Sequence, residues 1–261
     1  MREANRFEER NTEADGLIEG RNAVSEALRA GTAIDKLYIA RGDTDATLGF
    51  LASSARAKGI VVVEADRRKL DAMSLTHAHQ GVIAVAAVRE YASVEDILAR
   101  AEQAGEAPLI VVCDEISDPH NLGAIIRTAE TAGAHGVVIP KRRSAGLTAV
   151  VAKTSAGAVS HLPVARVPNL PALLTELKSK GLWIYGTAAE GAGPLYDTDL
   201  TGPAAIVIGS EGAGMGRLVA ECCDFKISIP MRGKISSLNA SAAAAVVLYE
   251  AVRQRIKKRQ S

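Results

Sequence analysis

Three polar loops carry the side chains capable of chemistry. Residues 114–127 (DEISDPHNLGAIIR), 209–216 (GSEGAGMG) and 231–241 (MRGKISSLNAS) each follow a short apolar run. In the first, Asp118 and Pro119 open a helix, Asn121 sits at its mouth, and Gly123 lets another backbone approach. Arg127 projects from the second turn, about 9 Å along the axis from Asn121. A guanidinium beside Ile125, Ile126 and Ala129 needs an anionic partner. That partner is either a ligand's phosphate or reacting hydroxyl, or one of Asp114, Glu115 and Asp118 in a structural ion pair. The second loop is glycine-rich, yet it lacks both the GxGxxG dinucleotide fingerprint and the Gly-Lys-Ser/Thr of a P-loop. Glu211 there suits a cationic or hydroxyl-bearing ligand, or is a solvated loop acid. The third loop offers Ser236, Ser237 and free backbone groups just before a helix that starts near Asn239, a natural place to hold a ligand. That helix begins with Ala240, Ser241 and four more alanines. With no bulky face, its start is expected to be buried with other backbone close on all sides.

The elements that must position these loops alternate. Strands are expected at 109–113, 136–139, 182–185, 204–208 and 226–229. Helices are expected at 121–132, 148–159, 170–180, 215–221 and 239–257. The strands are continuous apolar runs, which predicts an α/β fold with a parallel sheet covered on both faces. Ligands of such sheets sit at the carboxyl ends of the strands, so the three loops should converge. A smaller alternation precedes it: helices at 21–29, 47–58 and 67–73, strands at 37–40, 60–63 and 81–88. The resulting boundaries are a disordered tail over 1–15, a first domain over 16–91, a connecting helix within 92–107, and a second domain over 108–261.

Composition excludes more than it proposes. The net charge of +1 identifies no partner by itself, and 3% aromatics argues against a base-stacking RNA-binding sheet. Three cysteines with no CxxC suit a reduced, cytoplasmic setting. There is no apolar run long enough for a membrane span and no signal peptide. His77, His79, His120, His135 and His161 have no metal-ligand spacing, so no metal is expected. Cys222 and Cys223 read as packing residues. Basic clusters stand at Arg67, Arg68 and Lys69, at Lys141, Arg142 and Arg143, and at the C-terminus (Arg253, Arg255, Lys257, Lys258, Arg259). They fit phosphate contacts, or, at the C-terminus, a solvated helix end favoured by the helix dipole.

Taken together, the loops resemble the SpoU class of RNA ribose 2′-O-methyltransferases, within the SPOUT superfamily. The matching runs are 121–129 (NLGAIIRTA), 208–215 (IGSEGAGM) and 229–241 (IPMRGKISSLNAS), in the family's order. Ala240 stands where the family often has Val. The first domain, with Glu19-Gly20-Arg21 and His79-Gln80-Gly81, is similar to the L30e-like substrate domain of the branch that acts on 23S rRNA. The resemblance implies an N-terminal L30e-like α/β domain and a C-terminal parallel-sheet SPOUT domain with a deep trefoil knot. It also implies S-adenosylmethionine as cofactor, held around Gly209, Gly212, Ile229, Met231, Leu238 and Thr187, and a homodimer. Arg127 would activate the ribose hydroxyl, with Asn121, Glu211, Ser237 and Asn239 orienting it. RNA would meet Arg21, Arg67, Arg68, Lys69, Lys141, Arg142 and Arg143. The implied substrate is a guanosine of 23S rRNA near the peptidyl-transferase centre, with a tRNA guanosine as the alternative. Two other classes remain open: a non-catalytic RNA-binding dimer, and a nucleotide-binding oxidoreductase, which the absent dinucleotide fingerprint disfavours.

Overall fold

The computed structural model describes residues 16–43, 45–188 and 192–260; the tail expected over 1–15 lies outside the described residues. The chain divides into two compact units. The first comprises residues up to Glu90 together with Gly146–Ala152, and the second comprises Tyr91–Ala145 and Lys153–Ser261.

In the first unit the order is β1 (Leu17–Glu19), α1 (Arg21–Ala30), β2 (Ile34–Ala40), α2 (Ala46–Ala57), β3 (Val61–Ala65), α3 (Arg67–Met73) and β4 (Val82–Ala86). The sheet runs β1-β4-β2-β3, with β2 and β3 parallel and the other pairs antiparallel. Local signals set the helix ends. Gly31 closes α1 in the left-handed conformation (φ 73°), which glycine adopts without a Cβ penalty. Asp45 caps α2 by accepting from the Thr47 amide. Val24, Leu28, Leu37, Leu48, Leu51 and Val82 form the core under α1 and α2. Leu70 of α3 packs with Ala40 and Ile83 in a smaller cluster.

The second unit begins with α4 (Val94–Ala104), β5 (Leu109–Cys113), α5 (Pro119–Thr131), β6 (Gly136–Pro140), α6 (Ala149–Thr154, its first residues assigned to the other unit), β7 (Val164–Val167) and α7 (Leu170–Ser179). It continues with β8 (Trp183–Thr187), β9 (Gly193–Pro194), β10 (Ala204–Ile208), α8 (Arg217–Glu221), β11 (Phe225–Ser228) and α9 (Ala240–Arg259). Its sheet is parallel throughout, in the order β7-β6-β5-β10-β8-β11-β9. Alternate strand residues divide between two faces. Ile110, Val112, Val138, Ile184 and Val207 pack under α4, α7 and α8, joined by Val94, Ile97, Leu174 and Val219. α5 and α9 pack on each other and bury Leu122, Ile125, Ile126, Val247, Leu248 and Ala251.

Four expectations change. The helix expected within 92–107 is α4, opened by a reciprocal Ser93–Asp96 capping box and closed by Gly105. It belongs to the second unit's core, and Ile97 lies so close to β6 that a Cβ on Gly136 would fall 2.5 Å from it. The helix expected over 148–159 is broken: Ala156 (φ 49°) and Gly157 (φ 83°) both turn left-handed, leaving α6 and a 3-10 turn at Ala158–Ser160. Three edge strands, β1, β7 and β9, were not expected, being three, four and two residues long. Finally, the alanine-rich start of α9 is not enclosed on all sides. Ala240 and Ala244 are buried, at 5% and 0% exposure, whereas Ala242 is exposed.

Candidate active site

β5, β10, β8 and β11 are adjacent and parallel, so the loops leaving their carboxyl ends share one edge of the sheet. The 209–216 loop turns back on itself. Ser210 and Gly214 exchange backbone hydrogen bonds of 3.0 and 2.9 Å, and Gly212 and Gly214 are left-handed (φ 82° and 67°). Gly209 permits the turn, since a Cβ there would sit 2.3 Å from the Gly214 carbonyl carbon. The turn presents Glu211, which joins the three loops. Its Oε1 accepts from Asn121 Nδ2 at 3.0 Å, from Asn239 Nδ2, and from the Ala240 amide at 3.4 Å. Asn239 Nδ2 also donates to Asn121 Oδ1 at 2.9 Å. Asn239 Oδ1 caps α9, accepting from the Ser241 amide and hydroxyl at 2.9 and 2.6 Å. A carboxylate at a helix N-terminus is favoured by the unpaired amides and the dipole there, so Glu211, though exposed, is held through Oε1.

Asn121 is buried because Asp118 and Pro119 start α5 just before it, with Asp118 accepting from the His120 amide at 2.9 Å. Gly123 admits the 154–155 backbone: a Cβ there would meet Thr154 Oγ1 at 1.9 Å. Arg127, two turns on, is exposed and has no side-chain partner among the described residues. The structural ion pair is ruled out by where the candidate acids go. Asp114 Oδ2 accepts from the Gly216 amide at 2.7 Å, Glu115 pairs with Arg143 at 2.8 Å, and Asp118 caps α5. The guanidinium is thus exposed on α5, the helix that also carries Asn121 of the Asn121–Glu211–Asn239 cluster, and is open to an external anion.

The segment from Ile229 to Leu238 makes no hydrogen bond among the described residues, and from Pro230 onward it is exposed. Its amides and carbonyls, with the partly exposed Met231 and Leu238 at 38% and 39%, are the groups an adenine and ribose require: apolar surface flanked by backbone donors and acceptors. Ile229, Gly209 and Gly212 lie at the same edge. Ser237 belongs to this open loop and is not part of the hydrogen-bonded cluster. Thr187 has its hydroxyl proton engaged, donating to the Val207 carbonyl at 3.0 Å.

The expected RNA contacts divide. Arg67 and Arg68 are exposed at the start of α3, and Lys69 lies over the Tyr38 ring. Arg21 is engaged within its own unit, by Gln80 and by Asp45 at 2.5 Å. Lys141 and Arg142 follow β6, and Arg143 is tied to Glu115. The C-terminal cations are largely structural. Arg253 pairs with Glu250, Arg259 pairs with Glu106, and Arg255 donates to the carbonyls of Ala107, Pro108, Leu200 and Gly202. Burial pushes the Cys113 thiol up to about 12 and the Cys223 thiol to about 11, so neither supplies a thiolate nucleophile near neutrality.

Sequence reasoning missed the use made of Asp114 and Glu19. Asp114 fastens the end of β5 to the 209–216 loop. Its signal was its place directly after a strand. Glu19 accepts from Ser74 Oγ, Thr76 Oγ1 and the Leu75 amide at 2.6, 2.6 and 2.7 Å, with a longer bond from the Thr76 amide. These bonds outweigh desolvation and hold its carboxyl at about 2.

Comparison with known proteins agrees with this geometry. The SpoU rRNA Methylase family profile matches residues 108–249, and the profile for RNA 2′-O ribose methyltransferase substrate binding matches residues 17–92. A Bacillus subtilis protein named as a TrmH family tRNA/rRNA methyltransferase, YacO, is 48% identical over 90% of this chain and 94% of its own. The SpoU methyltransferase AviRb of Streptomyces viridochromogenes, solved with AdoMet, superposes with a TM-score of 0.59 at 29% identity, covering 92% of this chain and 90% of that one. An AdoMet-bound rRNA methyltransferase of Sinorhizobium meliloti gives 0.58 at 26% identity over 91% and 87% of the two chains. With a family profile over more than half its length and a relative of this similarity, the chain belongs to the SpoU family of RNA methyltransferases.

Proposed function

We propose that this protein methylates a ribose 2′-hydroxyl of RNA, with S-adenosylmethionine bound by the open 229–238 loop, Gly209, Gly212 and the Thr187 backbone. The observation carrying the reading is the hydrogen-bonded Asn121–Glu211–Asn239 cluster at the mouth of the helix that also bears the exposed Arg127, whose guanidinium has no partner among the described residues. When bound, the cofactor supplies a sulfonium methyl group. The residues act on the other partner. A guanidinium is never deprotonated near neutrality, so Arg127 serves as a donor that stabilises negative charge developing on the 2′-oxygen. The hydroxyl proton leaves to an RNA phosphate oxygen. Asn121 and Asn239, held through Glu211, orient the ribose. Ser237 adds a hydroxyl donor once its loop closes on the ligand.

The substrate we favour is a guanosine of 23S rRNA near the peptidyl-transferase centre. In this reading 16–91 is a substrate-binding domain, with Arg67, Arg68, Lys69, Lys141 and Arg142 on phosphates. A tRNA guanosine is the second reading, supported by relatives named for both tRNA and rRNA. The protein works in the cytoplasm as a homodimer whose chains are knotted. Exposed Ile235 and Leu238 in the open loop, at 76% and 39%, and Tyr249 farther along α9, at 49%, support a partner chain. Ala240 and Ala244, small and buried on one side of α9, support a helix packed closely on that side. Two measurements test the proposal. A ribose-methylation map of rRNA and tRNA with and without the gene identifies the nucleotide, and no difference would refute the activity. Arg127→Ala and Arg127→Lys should both abolish methylation while retaining cofactor and RNA binding. Near-normal turnover by the alanine variant would remove Arg127 from the mechanism.

A further inference from the structure

A groove of about 300 Å³ opens at the carboxyl ends of β5 and β6, beside α7 and α8. Its walls include Pro140, Pro171 and Leu218, and its polar lining is Asp114, Glu115, Arg142 and Asn169, whose Oδ1 is taken up capping α7. Asp114 is the unusual member. It is 95% buried, only 5% of it being exposed. One oxygen, Oδ2, accepts from the Gly216 amide at 2.7 Å, while Oδ1 has no partner among the described residues. Every fully buried side-chain oxygen or nitrogen among them has a partner. Oδ1 must therefore reach accessible space, and the groove that Asp114 lines provides it. A buried carboxylate with an open acceptor costs free energy unless something donates to it. Burial and the neighbouring Glu115 push its carboxyl above the usual range, against the lowering effect of the Gly216 amide.

An occupant suited to this lining is flat, apolar on its faces and a hydrogen-bond donor along one edge. No group of three His, Cys, Asp or Glu side chains among the described residues could hold a metal there. A guanine fits: its faces lie against proline and leucine, and its adjacent N1–H and 2-amino group donate to carboxylate oxygens. Arg142 on the rim meets the attached phosphate. Single-stranded RNA offers such splayed bases, read along their Watson–Crick edges. We propose that this groove is a base-reading pocket that takes a guanine of the RNA substrate through Asp114, with Glu115 beside it. For the source of the base, the proposal rests on the RNA-methyltransferase reading.

The test uses the full chain saturated with S-adenosylmethionine and titrated by calorimetry with GMP, IMP, AMP and CMP. GMP is expected to bind about tenfold tighter than IMP, which lacks the 2-amino donor, because a site built to accept that donor rejects an analogue without it. Asp114→Asn replaces the open acceptor with a donor while keeping an oxygen for Gly216. It should erase the GMP preference, leave S-adenosylmethionine affinity within about twofold, and raise KM for RNA from a gene-deleted strain about tenfold with little change in kcat. Leu218→Trp, at an exposed rim position, should block GMP without disturbing the fold and serves if the asparagine variant loses cofactor binding. Equal binding of GMP and IMP, or a retained preference in Asp114→Asn, overturns the proposal. Loss of GMP binding with an unchanged KM for RNA also overturns it, since the groove would then serve a free guanine nucleotide. If the wild type methylates no RNA, the activity falls, while the calorimetry still decides what the groove binds.

Discussion

Glu19 gives a prediction whose magnitude follows from its surroundings. Its carboxylate accepts two hydroxyl bonds and two amide bonds from residues 74–76, and these hold it at about 2 against an ordinary 4.5. At about 1.4 kcal/mol per pH unit, that difference corresponds to about 3 kcal/mol of preference for the charged form. Glu19 is partly open to water, and solvent screening reduces the contribution to about 1–2 kcal/mol. The sign is fixed by the direction of the shift. A carboxyl lowered on folding contributes stability that is complete above 4.5 and is lost as pH falls from 4.5 toward 2. Glu19→Gln removes the charge and one acceptor, so it should release most of this even at pH 7. Hydrogen exchange at the Leu75 and Thr76 amides reads it directly. Exchange in the glutamine variant should be about tenfold faster at pH 7, since 1.4 kcal/mol is a factor of ten. Wild type should lose the same protection on acidification, after correction for the intrinsic rate. The chain's sole tryptophan, Trp183, lies in the second unit, so its fluorescence-monitored unfolding should not move. Unchanged amide protection in the variant, or a wild-type loop indifferent to pH between 5 and 2.5, would refute the reasoning.

Other outcomes follow from packing. Ala244→Leu inserts bulk where the side chain is fully buried and should destabilise the second unit by about 1–3 kcal/mol in denaturant unfolding. Ala242→Leu, at an exposed position, should be nearly silent in the same assay unless a partner chain covers it, in which case the oligomer dissociates. Gly209→Ala sets a methyl against the Gly214 carbonyl carbon; calorimetry should show cofactor affinity falling at least tenfold, because the turn presenting Glu211 must open. Retention of wild-type affinity would mean that the turn tolerates a shift without moving Glu211.

What the sequence determined by itself is local or periodic. Continuous apolar runs required a parallel sheet covered on both faces, and a parallel sheet puts the loops after its strands on one edge. A helix start was legible where specific residues satisfy free amides and preset the first turn, as Asp118 with Pro119 do. The tertiary structure decided what depends on neighbours distant in the chain. Ala156 has no intrinsic preference for φ 49°, so the break in the expected 148–159 helix reflects how the segment packs, with 154–155 lying against Gly123. β7 and β9 are too short to announce themselves and exist because β6 and β11 offer open edges. The cations were the least legible. Arg255 meets Ala107 across 148 residues and Arg143 meets Glu115 across 28, whereas the Arg127 guanidinium has no partner among the described residues. A charged side chain's partner is set by which groups folding brings within 3 Å, and no periodicity records that. The same holds for Asp114: its position after β5 was visible, but only the folded chain buries it and leaves one oxygen open to a groove.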